Sequence, residues 1–271
     1  MPLLLLVCDE RPRPLVPYEW SWSLQPSVLL GTGLLGALYV WGIVPLRRRW
    51  ERAPVPAWRA ACFAGGLVVL LLSLDGPLHD LGRHYLFSAH MLQHLLLTLV
   101  LPPLLIAGTP GWLLSPLLRR PWVRAAGRSL TRPPVAALLY VATVAVWHLP
   151  GPYDLTMRSH ELHAAARLMS VAAAILMWWP VMSPVPELPR LGPGRGMLYL
   201  LLIAIPMQLI GAMITVSDEV LYPWYAAAPR TFGLSPMEDQ LFGGLLLWVP
   251  GNLWMFLAIG VLFFRWARES G

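Results

Sequence analysis

Histidine is the side chain whose placement here could do chemistry. The chain holds seven: His79, His84, His90, His94, His148, His160 and His163. His90 and His94 stand four residues apart inside an apolar run, and His160 and His163 stand three apart at the start of another. On a helix either spacing puts two rings on one face, with His90 and His94 about 6 Å apart along the axis. Neutral imidazole is the commonest metal ligand. Two rings one turn apart form a chelating pair, and imidazole with thioether suits copper. Met157, Met169 and Met237 lie in the same regions, and Met91 and Met213 are the candidate soft ligands among the methionines.

The elements that must position these rings follow from composition. Of 271 residues, 57% are hydrophobic and 13% charged, against about 25% charged in soluble domains. Mean hydropathy is +0.59. Such a chain belongs in a membrane, where a spanning helix needs about 20 mainly apolar residues. Seven stretches qualify, near 27–46, 58–75, 84–107, 133–150, 160–182, 196–217 and 239–264. The expected fold is all-α, an integral membrane bundle of seven transmembrane helices with the N-terminus outside and the C-terminus cytoplasmic. Residues 1–26 form an outer segment, 27–264 the bundle and 265–271 a cytoplasmic tail. Met1 to Val7 has no positive flank and is too short for a signal peptide.

Charge sets the orientation. All 20 basic residues are Arg. Without Lys, Schiff-base chemistry on retinal or pyridoxal is excluded, as is a Walker-type phosphate loop. In the seven-span reading 14 Arg fall on one side and five on the other, with Arg167 inside the fifth span. The Arg-rich side is the cytoplasmic one. Eleven of the 14 acidic residues then lie outside, on the face that also carries the histidines. The pI of about 9.8 reflects this topology, so nucleic acid is not an expected partner and the lipid bilayer is. Cys8 and Cys62 make neither a disulfide framework nor a metal motif.

Other polar residues in the spans need partners. Arg167 is one turn from His163, with Glu238 or Asp239 as candidate counter-ions. Asp154 could orient His148 through its second ring nitrogen, and Gln93 lies between the paired histidines. Gln208 beside Pro206 and Asn252 after Pro250 read as helix-packing features. Trp20, Trp22, Tyr222, Trp224 and Tyr225 read as an outer aromatic belt.

The run Tyr85-Leu86-Phe87-Ser88-Ala89-His90-Met91-Leu92-Gln93-His94, followed by Pro102-Pro103-Leu104-Leu105 and Gly108-Thr109-Pro110, resembles the signature of the CtaG family. These are multi-spanning assembly factors of caa3-type cytochrome c oxidase. Trp147-His148-Leu149-Pro150, Tyr153-Asp154, Trp178-Trp179-Pro180, Tyr222-Pro223-Trp224-Tyr225 and Asp239-Gln240 with Gly243 and Trp248 agree in order, over roughly 27–264. The resemblance implies a non-enzymatic role in a bacterial-type plasma membrane, supplying copper to a cytochrome c oxidase subunit. The ligands it implies are His90, His94, His148 and His163, with His160 beside them. The chain departs from the family at Arg167, where a second His often follows. Two other functions fit the same residues. Haem could be ligated by His pairs across helices, or a copper ion could be transported, although only Gln208 and Asn252 line the deeper half.

Overall fold

The computed structural model describes residues 25–270 together with Trp22. Most of the expected outer segment 1–26, including Cys8 and Trp20, and Gly271 of the expected tail lie outside the described residues. Among the described residues there are helices and connections and no strand. The helices are α1 (Pro26–Arg49), α2 (Ala57–Leu74), α3 (Pro77–His84), α4 (Phe87–Gly108), α5 (Gly111–Leu118) and α6 (Pro121–Leu130). They continue as α7 (Pro133–His148), α8 (Pro150–Arg158), α9 (His160–Met182), α10 (Pro193–Thr215), α11 (Pro223–Ala226) and α12 (Pro236–Ser270). Proline opens most of them, because at the first turn its missing N–H has no intrahelical bond to lose.

Six of these helices are individually long and apolar enough to cross a membrane: α1, α2, α4, α9, α10 and α12. The fourth stretch read from the sequence is α7. It has 16 residues, about 24 Å at 1.5 Å per residue. A 68° bend after α6 precedes it, where Pro133 and Pro134 prevent the helix from running on. The count is therefore six, or seven when the bent pair is taken as one span.

The connections gather in two groups. At one end, Tyr39 Oη donates to Gly108 O (2.9 Å), Arg59 to Ala107 O (3.3 Å) and Arg128 to Glu187 O (3.4 Å). At the other, Tyr222 Oη donates to His148 O (2.9 Å) and Trp224 Nε1 to Arg83 O (3.0 Å). α7 runs from the first group to the second. Between them the core is built from α4, α7, α9, α10 and α12, around Tyr140, Ala174, Met177, Trp178, Ile203 and Met255. α10 lies along α12, and a Cβ at Gly211 would come within 2.8 Å of the Trp248 backbone. Small residues of this kind let membrane helices pack closely. Outward-facing positions are apolar, among them Leu138, Leu168, Leu209, Val261 and Phe264.

α4 contains a π-helical turn at Leu96–Val100. Its cause is local. Pro102 and Pro103 have no N–H for the carbonyls of Thr98 and Leu99, and the ladder widens just before them. The Thr98 carbonyl instead accepts from the buried Trp178 Nε1 at 3.1 Å. Trp178→Phe should leave that carbonyl unpaired, at a cost of about 1–3 kcal/mol. We expect the apparent unfolding temperature in detergent to fall by several degrees, and an unchanged value would show that the bond does not hold the turn.

Candidate metal centre

The first turn of α4, which carries His90, is fixed from outside the helix. The fully buried Asp239 of α12 accepts from Phe87 N (2.7 Å), Ser88 N (3.0 Å) and Ser88 Oγ (2.6 Å). A carboxylate at this position satisfies orphan first-turn donors and complements the helix dipole. α3 closes over the same turn, and a Cβ at Gly82 would lie 3.0 Å from the His90 backbone. Only glycine allows that approach without a shift.

An aromatic cluster ties this turn to α7, α8 and α11. Phe87 stacks on Tyr222 at 4.5 Å and touches Tyr153 and Tyr225. Tyr153 Oη donates to Tyr225 Oη (3.3 Å), which donates to Gly82 O (2.5 Å). Burial pushes the Tyr153 phenol well above its ordinary range and raises Tyr222 and Tyr225 as well, so all three stay protonated donors. Tyr222 and Tyr225 are thus interior residues rather than members of an interfacial belt, because their hydroxyls find carbonyls inside the protein. Trp22 is exposed and Trp224 half-buried.

Beneath the cluster lies a cavity of about 50 Å³ lined by His90, Gln93, His94, Trp147, His148 and Tyr153, with Thr98, Thr156, His163, Arg167 and Ser170 completing the polar wall. That volume holds an ion with a few waters. The imidazoles come in two pairs. The His94 and His148 rings are 4.9 Å apart at 79°, and the His90 and His163 rings 5.6 Å apart at 71°. His148 Nδ1 donates to Val144 O at 2.7 Å. A carbonyl only accepts, so Nδ1 carries the proton and Nε2 presents a bare lone pair. That Nε2 is buried without a hydrogen-bond partner, as are His94 Nε2 and His90 Nδ1. Native proteins rarely leave such atoms unpaired.

His163 differs. Arg167 Nη2 donates to its Nε2 at 2.5 Å and lies 3.5 Å from His79 Nδ1. Arginine has no acceptor, so this His163 nitrogen is an occupied lone pair. His79 is buried, and burial, with Arg167 next, lowers its pKa well below the usual imidazole range. It is neutral at physiological pH. Gln93 Nε2 donates to Ser73 O and stands 3.4 Å from His79 Nδ1, joining α4 to α2 and α3.

The remaining candidates sit elsewhere. His160 Nδ1 is buried without a partner, but the ring does not line the cavity. Met91 is packed among Phe87, Tyr153 and Tyr222, and Met213 is 56% exposed on α10. Asp154 Oδ2 accepts from Arg158 Nε (2.5 Å), while Val144 O orients His148. Both Asp239 oxygens serve α4, and Glu238 accepts from Ser235 N (2.8 Å). Among the described residues no three His, Cys, Asp or Glu side chains close on one point. The arrangement is an open set of unpartnered ring nitrogens. Nothing in the spacing marks His79, Trp147 or Thr156 as part of the site; His79 reads only as one more histidine, on a short amphipathic helix.

Residues 37–269 match the family described as cytochrome c oxidase caa3 assembly factor (Caa3_CtaG). An uncharacterized protein of Mycobacterium leprae is 24% identical over 96% of this chain and 42% of its own length. Uncharacterized proteins of Mycobacterium bovis and Mycobacterium tuberculosis are each 26% identical over 90% of this chain and 39% of their own length. The chain thus spans about two-fifths of the length of these curated relatives. No solved structure matches it.

Proposed function

The chain belongs to the cytochrome c oxidase caa3 assembly factor family, and from that premise we propose that it binds copper as cargo in the histidine cavity and passes it to a cytochrome c oxidase subunit. It does so without catalysing a reaction, as a multi-pass protein of a bacterial-type plasma membrane. One observation carries the reading: His94 Nε2 and His148 Nε2, both unpartnered, belong to rings 4.9 Å apart on the wall of one cavity. His90 Nδ1 adds a third unpartnered nitrogen on the same helix face as His94. Imidazole nitrogens suit copper, and an open donor set suits an ion that must leave again. The cavity volume of about 50 Å³ favours an ion over haem, since pockets for larger ligands run to several hundred Å³.

The topology in this proposal has seven crossings, with α7 as the fourth. The Arg-rich end faces the cytoplasm and the histidine cavity lies near the outer face. An acidic outer end raises the local concentration of a cation arriving there. Oxidase isolated from cells lacking this chain should carry less copper per haem. Wild-type protein should restore it and His94→Ala/His148→Ala should not. Full copper content in the oxidase without the chain would sink the proposal.

Arg167 tunes the same site. Its guanidinium occupies the His163 lone pair and places a permanent positive charge on the cavity wall. Removing that donor frees His163 Nε2 as a further ligand. Arg167→Gln should therefore tighten Cu(I) binding about tenfold or more, read by chelator competition. An affinity equal to or weaker than wild type would show that Arg167 does not oppose the metal.

A further inference from the structure

A second cavity, of about 20 Å³, lies deeper in the bundle and shares His94 and Thr98 with the first. It is lined by α4, α7, α10 and α12, and it has room for a single ion. Most of its wall is apolar. The soft or nitrogen donors are the His94 imidazole and the thioethers of Met207 and Met255, beside Asn252, whose Nδ2 donates to Trp248 O. Met207 follows Pro206 in α10, and Met255 is buried on α12 five residues past Pro250. Each helix runs on through its proline, which only removes one backbone N–H from the ladder near the cavity. Tyr140 Oη, buried and without a hydrogen-bond partner, also lines it. The π-helical turn of α4 forms the boundary between the two spaces, with Thr98 Oγ1 donating to His94 O at 2.7 Å.

We infer that the deeper cavity is a second copper station, selective for Cu(I), in which His94 with the Met207 and Met255 thioethers receives the ion from His94 and His148. The inference rests on the copper reading above. Neutral soft sulfur donors favour Cu(I) over Cu(II). His94 lines both cavities, so the ion can stay on its one unprotonated ring nitrogen while the ring turns from the first to the second. Moving between stations, the ion exchanges the His148 nitrogen for sulfur. All ligands are neutral, no electron moves, copper stays at +1, and no proton is taken up or given off. The path leads from the end of the bundle towards its middle. The two stations exclude each other and hold one ion between them.

The test is X-ray absorption at the copper edge on the full chain, purified in detergent and loaded without oxygen with one equivalent of Cu(I). Wild type should show nitrogen and sulfur scatterers together. Met207→Leu/Met255→Leu, a near volume-conserving change, should keep one copper per chain and lose the sulfur signal. His148→Ala should keep copper with a larger sulfur share. Should His148→Ala fail to fold, the methionine pair decides alone. A nitrogen-only spectrum in wild type, or a spectrum unchanged by the methionine substitutions, overturns the second station and leaves the first intact. A wild-type chain that binds no Cu(I) overturns both.

Discussion

His94→Ala/His148→Ala is expected to lower Cu(I) affinity at least about a hundredfold and to leave no ion bound in competition with a moderate chelator. The size follows from the geometry. Each substitution removes one of the two facing nitrogens whose rings stand 4.9 Å apart. Changing even an outer partner of a metal ligand typically costs 10–100-fold, and these would be the ligands themselves. His163→Ala should cost less, because Arg167 already occupies its Nε2. His160→Ala should stay within about threefold of wild type, since that ring does not line the cavity. A chelator titration across the four proteins separates these cases. Equal losses at His160 and at the His94–His148 pair would mean the ligands are misassigned.

Asp239→Ala is the second large effect, and it touches no ligand. The carboxylate answers two backbone N–H groups and one hydroxyl at the start of α4. Removing it strands buried donors at about 1–3 kcal/mol each and deletes the anion at the helix N-terminus. A total of about 3–5 kcal/mol is expected, in the range for breaking a buried charged contact. The variant should accumulate poorly, unfold far below wild type, and bind copper weakly because His90 and His94 ride on the loosened helix. Asp239→Asn keeps one acceptor and should fall between the two. A normal unfolding temperature for Asp239→Ala would show that α4 is held by packing alone.

What the sequence displays and what it hides divide along physical lines. Long apolar helices are legible because a span needs a set length of apolar residues, and α1, α2, α4, α9, α10 and α12 lie close to where hydropathy places them. α7 is shorter, and its bend depends on Pro133 and Pro134. The histidine spacings are local, so the shared face of His90 and His94 can be read directly. The His94–His148 pairing joins residues on different helices and depends on how α4 packs against α7, which no single-helix pattern contains. The same holds for Asp239, which caps a helix beginning 152 residues earlier in the chain. Sign alone makes it a candidate counter-ion for Arg167, but its orientation places both oxygens on α4. Tyr222 and Tyr225 looked interfacial because aromatics with polar tips favour that depth, yet the carbonyls of His148 and Gly82 draw their hydroxyls inward.

The central claim is that this chain itself holds one exchangeable copper. Anaerobic equilibrium dialysis of the purified protein against Cu(I) buffered by a chelator measures that directly. The account predicts saturation at one copper per chain, reversible on raising the chelator. Binding no greater than that of a detergent blank, or several equivalents with no saturation, would contradict it.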